Sequence, residues 1–163
     1  MDNQLTIQNH QAIDKLEAKL LSVGEVTEAH IRNIFVPGIY IREMYVPVKH
    51  FDGVFITSEI HNTEHAFSLD KGSLIVSDGV NEPVLMKAPF KGITKPGTRR
   101  IALVLEDIVW TTYHANPDNE NEQQIRERIL EKHQNPFITD ELRKKMLSVR
   151  NNVLTIKQKQ KDN

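Results

Sequence analysis

In the segment Gly53-Val54-Phe55-Ile56-Thr57-Ser58-Glu59-Ile60-His61-Asn62-Thr63-Glu64-His65, which runs on to Gly72, an alternating run meets a polar turn. Val54, Ile56, Ser58 and Ile60 alternate with Phe55, Thr57, Glu59 and His61, the period of two that marks a strand. Glu59 and His61 then share one face. A reversal at Asn62-Thr63-Glu64 brings His65 back to that face on the partner strand. Carboxylate and imidazole together suit a divalent ion such as zinc, iron, manganese or nickel. The segment therefore predicts a β-hairpin that carries a metal site of Glu59, His61 and His65. The competing reading is a turn held by imidazole hydrogen bonds, with Glu59 a solvated strand carboxylate. Neither reading specifies a substrate.

Outward from this hairpin the strand pattern continues. Ile39, Ile41, Tyr45 and Val46 form a strand opened by Pro37-Gly38 and closed near Pro47. After Gly53–His61 come Ala66–Leu69 and, past the Lys71-Gly72 turn, Leu74-Ile75-Val76. Ser77-Asp78-Gly79 carries an Asp-Gly turn signal before Val84–Met86. A short strand lies between Ala88-Pro89-Phe90 and Thr94–Gly97. Arg100–Leu105 and Ile108–His114 are joined by a tight Glu106-Asp107 turn. About eight short strands at close spacing predict a mainly β fold, a single antiparallel jelly-roll barrel.

The flanks read as helical. Ile13, Leu16 and Leu20 lie at helical spacing, and Gly24 is a natural stop, so a short N-terminal helix is expected. Beyond Asn116-Pro117-Asp118-Asn119, Ile125, Ile129 and Leu130 mark a helix that ends at Asn135-Pro136. Thr139 reads as the N-cap of another, with Asp140 and Glu141 in its first turn. Leu142, Met146, Val149 and Val153 would form its narrow apolar stripe, packed either on a second subunit or on the barrel itself. The resulting division is an N-terminal helical extension over 1–30, a barrel over 31–116 and a C-terminal helical extension over 117–163. A homodimer is the expected assembly.

Composition narrows the function classes. The chain has 163 residues, no cysteine and a formal charge of -1. That charge argues against a broad nucleic-acid footprint. The lack of thiols leaves His and carboxylates as the only metal ligands. No apolar run approaches the roughly 20 residues of a membrane span. The N-terminus lacks the blocks of a signal peptide, so a cytoplasmic protein is expected. No glycine-rich phosphate loop or serine nucleophile elbow occurs.

Gly53, Glu59, His61, His65 and Gly72 stand at the spacings of the first motif of the cupin superfamily, which this chain resembles. Glu59 takes the place of that motif's first histidine, and His65 the place of its glutamate. Cupins are small jelly-roll barrels that often hold a divalent metal, and the resemblance implies the same here. Lys95-Pro96-Gly97-Thr98-Arg99-Arg100 is similar to the second motif, with Arg100 at the fourth-ligand position. A guanidinium stays protonated and does not ligate a metal. A closer resemblance, over about 36–114, is to uncharacterised cupin-like proteins of tailed phages. It is carried by Pro37-Gly38-Ile39-Tyr40, Ile60–His65, Lys71-Gly72, Lys87-Ala88-Pro89, Pro96–Arg100 and Glu106–His114. It implies a fold without a defined activity, in the host cytoplasm if the chain is phage-encoded. In that group the position of Glu59 can carry lysine, which makes Glu64 and His114 alternative ligands.

His114 ends the last expected barrel strand, where a fourth ligand can reach the mouth. Glu64 could instead orient an imidazole from behind. Arg99 and Arg100 alternate, so one faces in and one out. An inward Arg100 would clamp a carboxylate or phosphate, and the competing reading pairs it with Glu106 or Asp107. Trp110 and Tyr113 serve either as core or as substrate platform. His10, His30, His50 and His133 sit in polar surroundings and are expected at the surface. Three functions fit. In the first, a metal-dependent enzyme acts on a small anionic molecule, with Glu59 or Glu64 moving a proton. In the second, a barrel captures such a molecule without turnover. The third is an accessory or structural role for the C-terminal helix.

Overall fold

The structure, a computed structural model, describes residues 3–147 and 152–157. It is mainly β, with two antiparallel sheets. One sheet has the order β1 (Glu25–Glu28), β11 (Asn152–Lys157), β4 (Phe51–Thr57), β9 (Ile101–Val104), β6 (Ser73–Ser77), β7 (Val84–Lys87). The other has the order β2 (His30–Val36), β3 (Gly38–Val46), β10 (Ile108–Asn116), β5 (His65–Lys71), β8 (Phe90–Thr94). The sheets face one another around a shared interior.

Side chains alternate along each strand, so register decides what meets inside. Tyr40 lies opposite His114, Arg42 opposite Thr112, Met44 opposite Trp110 and Val46 opposite Ile108. On the other flank of β10, Thr112 pairs with Phe67 and Trp110 with Leu69. His65 pairs with Thr94 of β8. The interior is therefore layered. Tyr40, His65 and His114 form a polar end, Arg42, Phe67 and Thr112 a middle, and Met44, Leu69 and Trp110 the start of an apolar end. The facing sheet extends that apolar end, with Val54 opposite Val104 and Leu74 opposite the same residue. Buried Val46, Val54, Leu69, Leu74, Val104 and Ile108 form one cluster there, each such side chain contributing about 1.5–3 kcal/mol through its burial. The turn from β5 to β6 needs glycine. Gly72 has φ +82°, and a Cβ there would overlap the Asp107 carbonyl.

A second layer covers the outside of the first sheet. Helix α1 (Asn3–Val23) packs Ile13, Leu20 and Leu21 against Ile101, Ile138 and Leu154. It stops at Gly24, as the sequence predicts, but runs 21 residues and is not short. A Cβ on Gly24 would come 2.6 Å from the Thr155 carbonyl oxygen. Arg99 pins this layer. Its Nη1 donates to Asp14 and its Nη2 to Glu17 Oε2 at 3.0 Å. His133 Nε2 lies 3.0 Å from the same Asp14 carboxylate, and Asn135 Nδ2 donates to Glu17 Oε2 at 2.9 Å. Burial of both Arg99 and Asp14 makes this network costly to break. His10 and His133, expected at the surface, are drawn to it; His10 Nε2 lies 2.9 Å from the Gly97 carbonyl oxygen. His30 and His50 are exposed, as expected.

Helix α2 (Glu122–Ile129) lies over the polar end of the barrel. Asn121 caps it in a reciprocal box with Gln124. Ile125 and Ile129 are buried with Tyr40. The helix stops at Leu130 rather than at Asn135-Pro136, because Glu131 N–H donates to the Ile60 carbonyl and draws the chain into a bridge with His61. In helix α3 (Asp140–Leu147), Thr139 Oγ1 accepts from Leu142 N–H at 3.3 Å, the cap expected. Leu142 and Met146 pack on the α1 cluster, within this chain.

The apolar stripe beyond Met146 is corrected. Val149 lies outside the described residues, and Val153 belongs to strand β11, between β1 and β4. Val153 enters the barrel core while Leu154 enters the α1 cluster. A strand covered on both faces takes the continuous Val-Leu-Thr-Ile run that a helical stripe would leave half exposed. Strands β1 and β11 thus join the barrel sheet from stretches read as helical. No helix among the described residues is long and apolar enough to cross a membrane.

Candidate metal centre

Three histidines converge at the polar end of the barrel. His65 opens β5, His114 lies near the end of β10, and His61 stands on the segment that crosses the mouth between them. One ring nitrogen from each lies within 4.8 Å of the others. The ring centroids are 4.4 Å apart for His61 and His65, 4.6 Å for His65 and His114, and 5.2 Å for His61 and His114. Metal–nitrogen bonds of about 2.0–2.1 Å bring ligand nitrogens closer than this, so the rings would draw in upon an ion.

The chemistry of the three rings fits a metal. Burial, then the neighbouring His65, Arg42 and Arg126, lowers the His61 pKa to about 4. Burial, then His65 and His61, lowers that of His114 to about 3. Burial also lowers His65. All three imidazoles are therefore neutral at pH 7, the form that ligates. Each also has one nitrogen engaged by the protein, which orients the other. His65 Nδ1 lies 3.4 Å from the Thr63 carbonyl oxygen, and His61 donates to the Glu59 backbone carbonyl. His114 Nε2 lies 2.9 Å from Thr112 Oγ1, while its Nδ1 is buried with no hydrogen-bond partner. An orphaned buried nitrogen is costly unless something binds it. Tyr40 stacks on the His114 ring at 5.7 Å and donates its hydroxyl to Asn33.

The other residues singled out in the sequence separate. Strand β4 ends at Thr57, before the alternation would reach Glu59, so Glu59 and His61 do not share a strand face. Glu59 instead pairs with Arg126 of α2 at 2.6 Å on the rim. Glu64 pairs with Lys95 at 2.6 Å, with about half of its side chain exposed. Arg100 faces in and Arg99 out, the alternation expected. Arg100 Nη1 donates to Thr94 Oγ1 at 3.0 Å, and its guanidinium lies 5.5 Å from the Phe67 ring centroid. Neither Glu106 nor Asp107 pairs with it. Glu106 accepts from Ser73, and Asp107 accepts from Tyr45 and the Val48 N–H. Trp110 lines the interior cavity and stacks on Phe67 at 4.5 Å. Tyr113 points the other way from β10 and hydrogen-bonds Ser68.

The cavity below the histidines has a volume of about 400 Å³. Sequence reasoning missed Tyr40, Arg42, Glu122 and Arg126 in its lining. A signal for Arg42 existed: it holds an inward phase of β3 between Tyr40 and Met44. No sequence signal set Glu122 and Arg126 over the mouth, since their placement depends on how α2 docks.

No protein-family model matches the chain, and no curated protein matches it. Among solved structures it is similar to a cupin-2 domain containing protein from Shewanella frigidimarina NCIMB 400, at 13% identity and TM-score 0.43, over 55% of this chain and 83% of that one. It is similar to KdgF from Halomonas sp. at 11% identity and TM-score 0.43, over 59% of this chain and 83% of that one. A third likeness is to the EutQ protein of Clostridium difficile, at 13% identity and TM-score 0.42, over 55% of this chain and 69% of that one. By its own strand order and register, the chain is mainly β, a two-sheet antiparallel jelly-roll barrel with one helix before the strands and two between β10 and β11.

Proposed function

We propose that this protein binds a divalent metal ion through His61, His65 and His114 and uses the barrel interior to act on a small anionic molecule. The observation that carries this reading is the convergence of three neutral imidazoles, His65 and His114 buried and His61 half-buried, one with an orphaned Nδ1, beside a cavity that His61, His114 and Arg100 line. A bound ion of this class supplies Lewis-acid polarisation of a ligand oxygen. Arg100 would orient the anion by its fixed fork of donors. Helix α2 would exclude water by covering the mouth, and Glu59 is the rim carboxylate available to move a proton once it leaves Arg126. The choice among zinc, iron, manganese and nickel rests with the ion found.

A second reading is capture without turnover. It is favoured by the ion pairs of Glu59 and Glu64, which occupy both carboxylates proposed for proton transfer. Elemental analysis of untagged protein, beside the His61→Ala/His65→Ala double variant, tests the metal. Near-stoichiometric metal in the parent and none in the folded variant is expected. Absence from both would end the metalloenzyme reading. Turnover of a bound anion by the loaded protein separates catalysis from capture.

A further inference from the structure

The cavity changes character with depth. Its polar groups gather at the mouth, while Met44, Ile56, Leu74, Val76 and Trp110 line the other end. Arg100 stands where the two meet. Among the described residues no carboxylate forms an ion pair with it. Among the described residues its guanidinium donates to one side chain, Thr94, and so uses one of five N–H donors. Burial lowers its pKa, with only Asp78 acting against this from a distance. A partly desolvated cation without a counter-charge is unfavourable unless an anion joins it. Arg42 faces the same space from β3, with Glu59 and Glu122 acting on its charge from the mouth, so Arg100 is the cation on which the anion would rest.

The apolar end selects the rest of the ligand. A sugar or polyol would leave hydroxyls unpaired against Met44, Leu74 and Val76. An alkyl or aryl body would bury there and lie against the Trp110 face. We propose that the barrel takes an apolar monocarboxylate, its carboxylate on Arg100 beside Arg42 and its body on the Trp110 floor. This rests on the barrel interior being the working site, and it holds with or without the ion.

Trp110 is the chain's one tryptophan, so its emission reports the cavity directly. The full chain, stripped of metal with a chelator, is titrated with octanoate, with octanol and with glucose 6-phosphate. Saturable quenching or a blue shift is expected with octanoate, at an affinity at least about tenfold above octanol, as expected for hydrogen bonds to a charged group. Glucose 6-phosphate should bind more weakly than octanoate. Arg100→Gln should abolish the preference for octanoate over octanol. Equal binding of octanoate and octanol by the parent, tighter binding of the sugar phosphate, or no response to octanoate would each overturn the proposal. Should Arg100→Gln fail to fold by circular dichroism, the parent comparison decides alone. Octanoate binding by protein that takes up no metal would end the metal reading and keep this one; metal uptake with no octanoate binding would do the reverse.

Discussion

Asp107 holds the turn between β9 and β10 from outside the barrel. Its carboxylate accepts from Val48 N–H at 2.9 Å and from the Tyr45 hydroxyl at 3.2 Å. These bonds, that from Val48 foremost, hold its pKa below the usual carboxylate value. A lowered folded pKa stabilises the fold above the ordinary value, and that stability is lost as pH falls through the folded one. Asp107→Asn should therefore lower the Tm at pH 7 by an amount that solvent screening keeps modest, and the deficit should shrink as the pH falls below the ordinary carboxylate value. An undiminished deficit in acid would assign the effect to shape and not to charge. At this same scale the sequence singled out His61, His65 and His114, which the fold brings together, because imidazoles near a turn and at a strand end retain their chemistry wherever the chain goes. Glu59 was misplaced for a physical reason. Alternation holds only while the strand lasts, and β4 stops two residues short of it.

Strands were legible because inward and outward phases differ in polarity along β3, β5, β6 and β10, and because Asp78-Gly79 and Lys71-Gly72 punctuate them. Helix α2 was legible as a helix, yet not as a cover for the site. Its docking depends on Ile125 and Ile129, which meet Tyr40, and on backbone bonds from Asn62 to Ile129 and from Glu131 to Ile60. Ile125→Ala removes a fully buried side chain and should destabilise the protein by about 2–4 kcal/mol. If α2 docks as a unit with the histidine cluster, amide exchange at Asn62 and Glu131 should accelerate together in that variant. Acceleration at α2 alone would show that the mouth segment keeps its place without it.

At the scale of the whole molecule, one buried guanidinium joins three distant parts of the chain. Arg99, beside β9, binds Asp14 and Glu17 of α1, which in turn hold His133 and Asn135. Arg99→Met leaves both carboxylates without their cation and should cost about 3–5 kcal/mol in denaturant unfolding. A loss below 1 kcal/mol would mean that the apolar contacts of α1 suffice. This network was invisible in the sequence because Arg99 and its two carboxylates lie more than eighty positions apart, whereas Arg99 and Arg100 were correctly seen to point opposite ways. The placement of β11 has a consequence in time. Its partners β1 and β4 leave the ribosome early, whereas β11 begins only at Asn152, most of the chain's length after β4 ends at Thr57. At about 5–20 residues per second, two strand edges stay open for roughly 5–20 s before the strand that joins them is made. Each newborn copy therefore passes through an interval in which a neighbour on the same messenger could pair with those edges first.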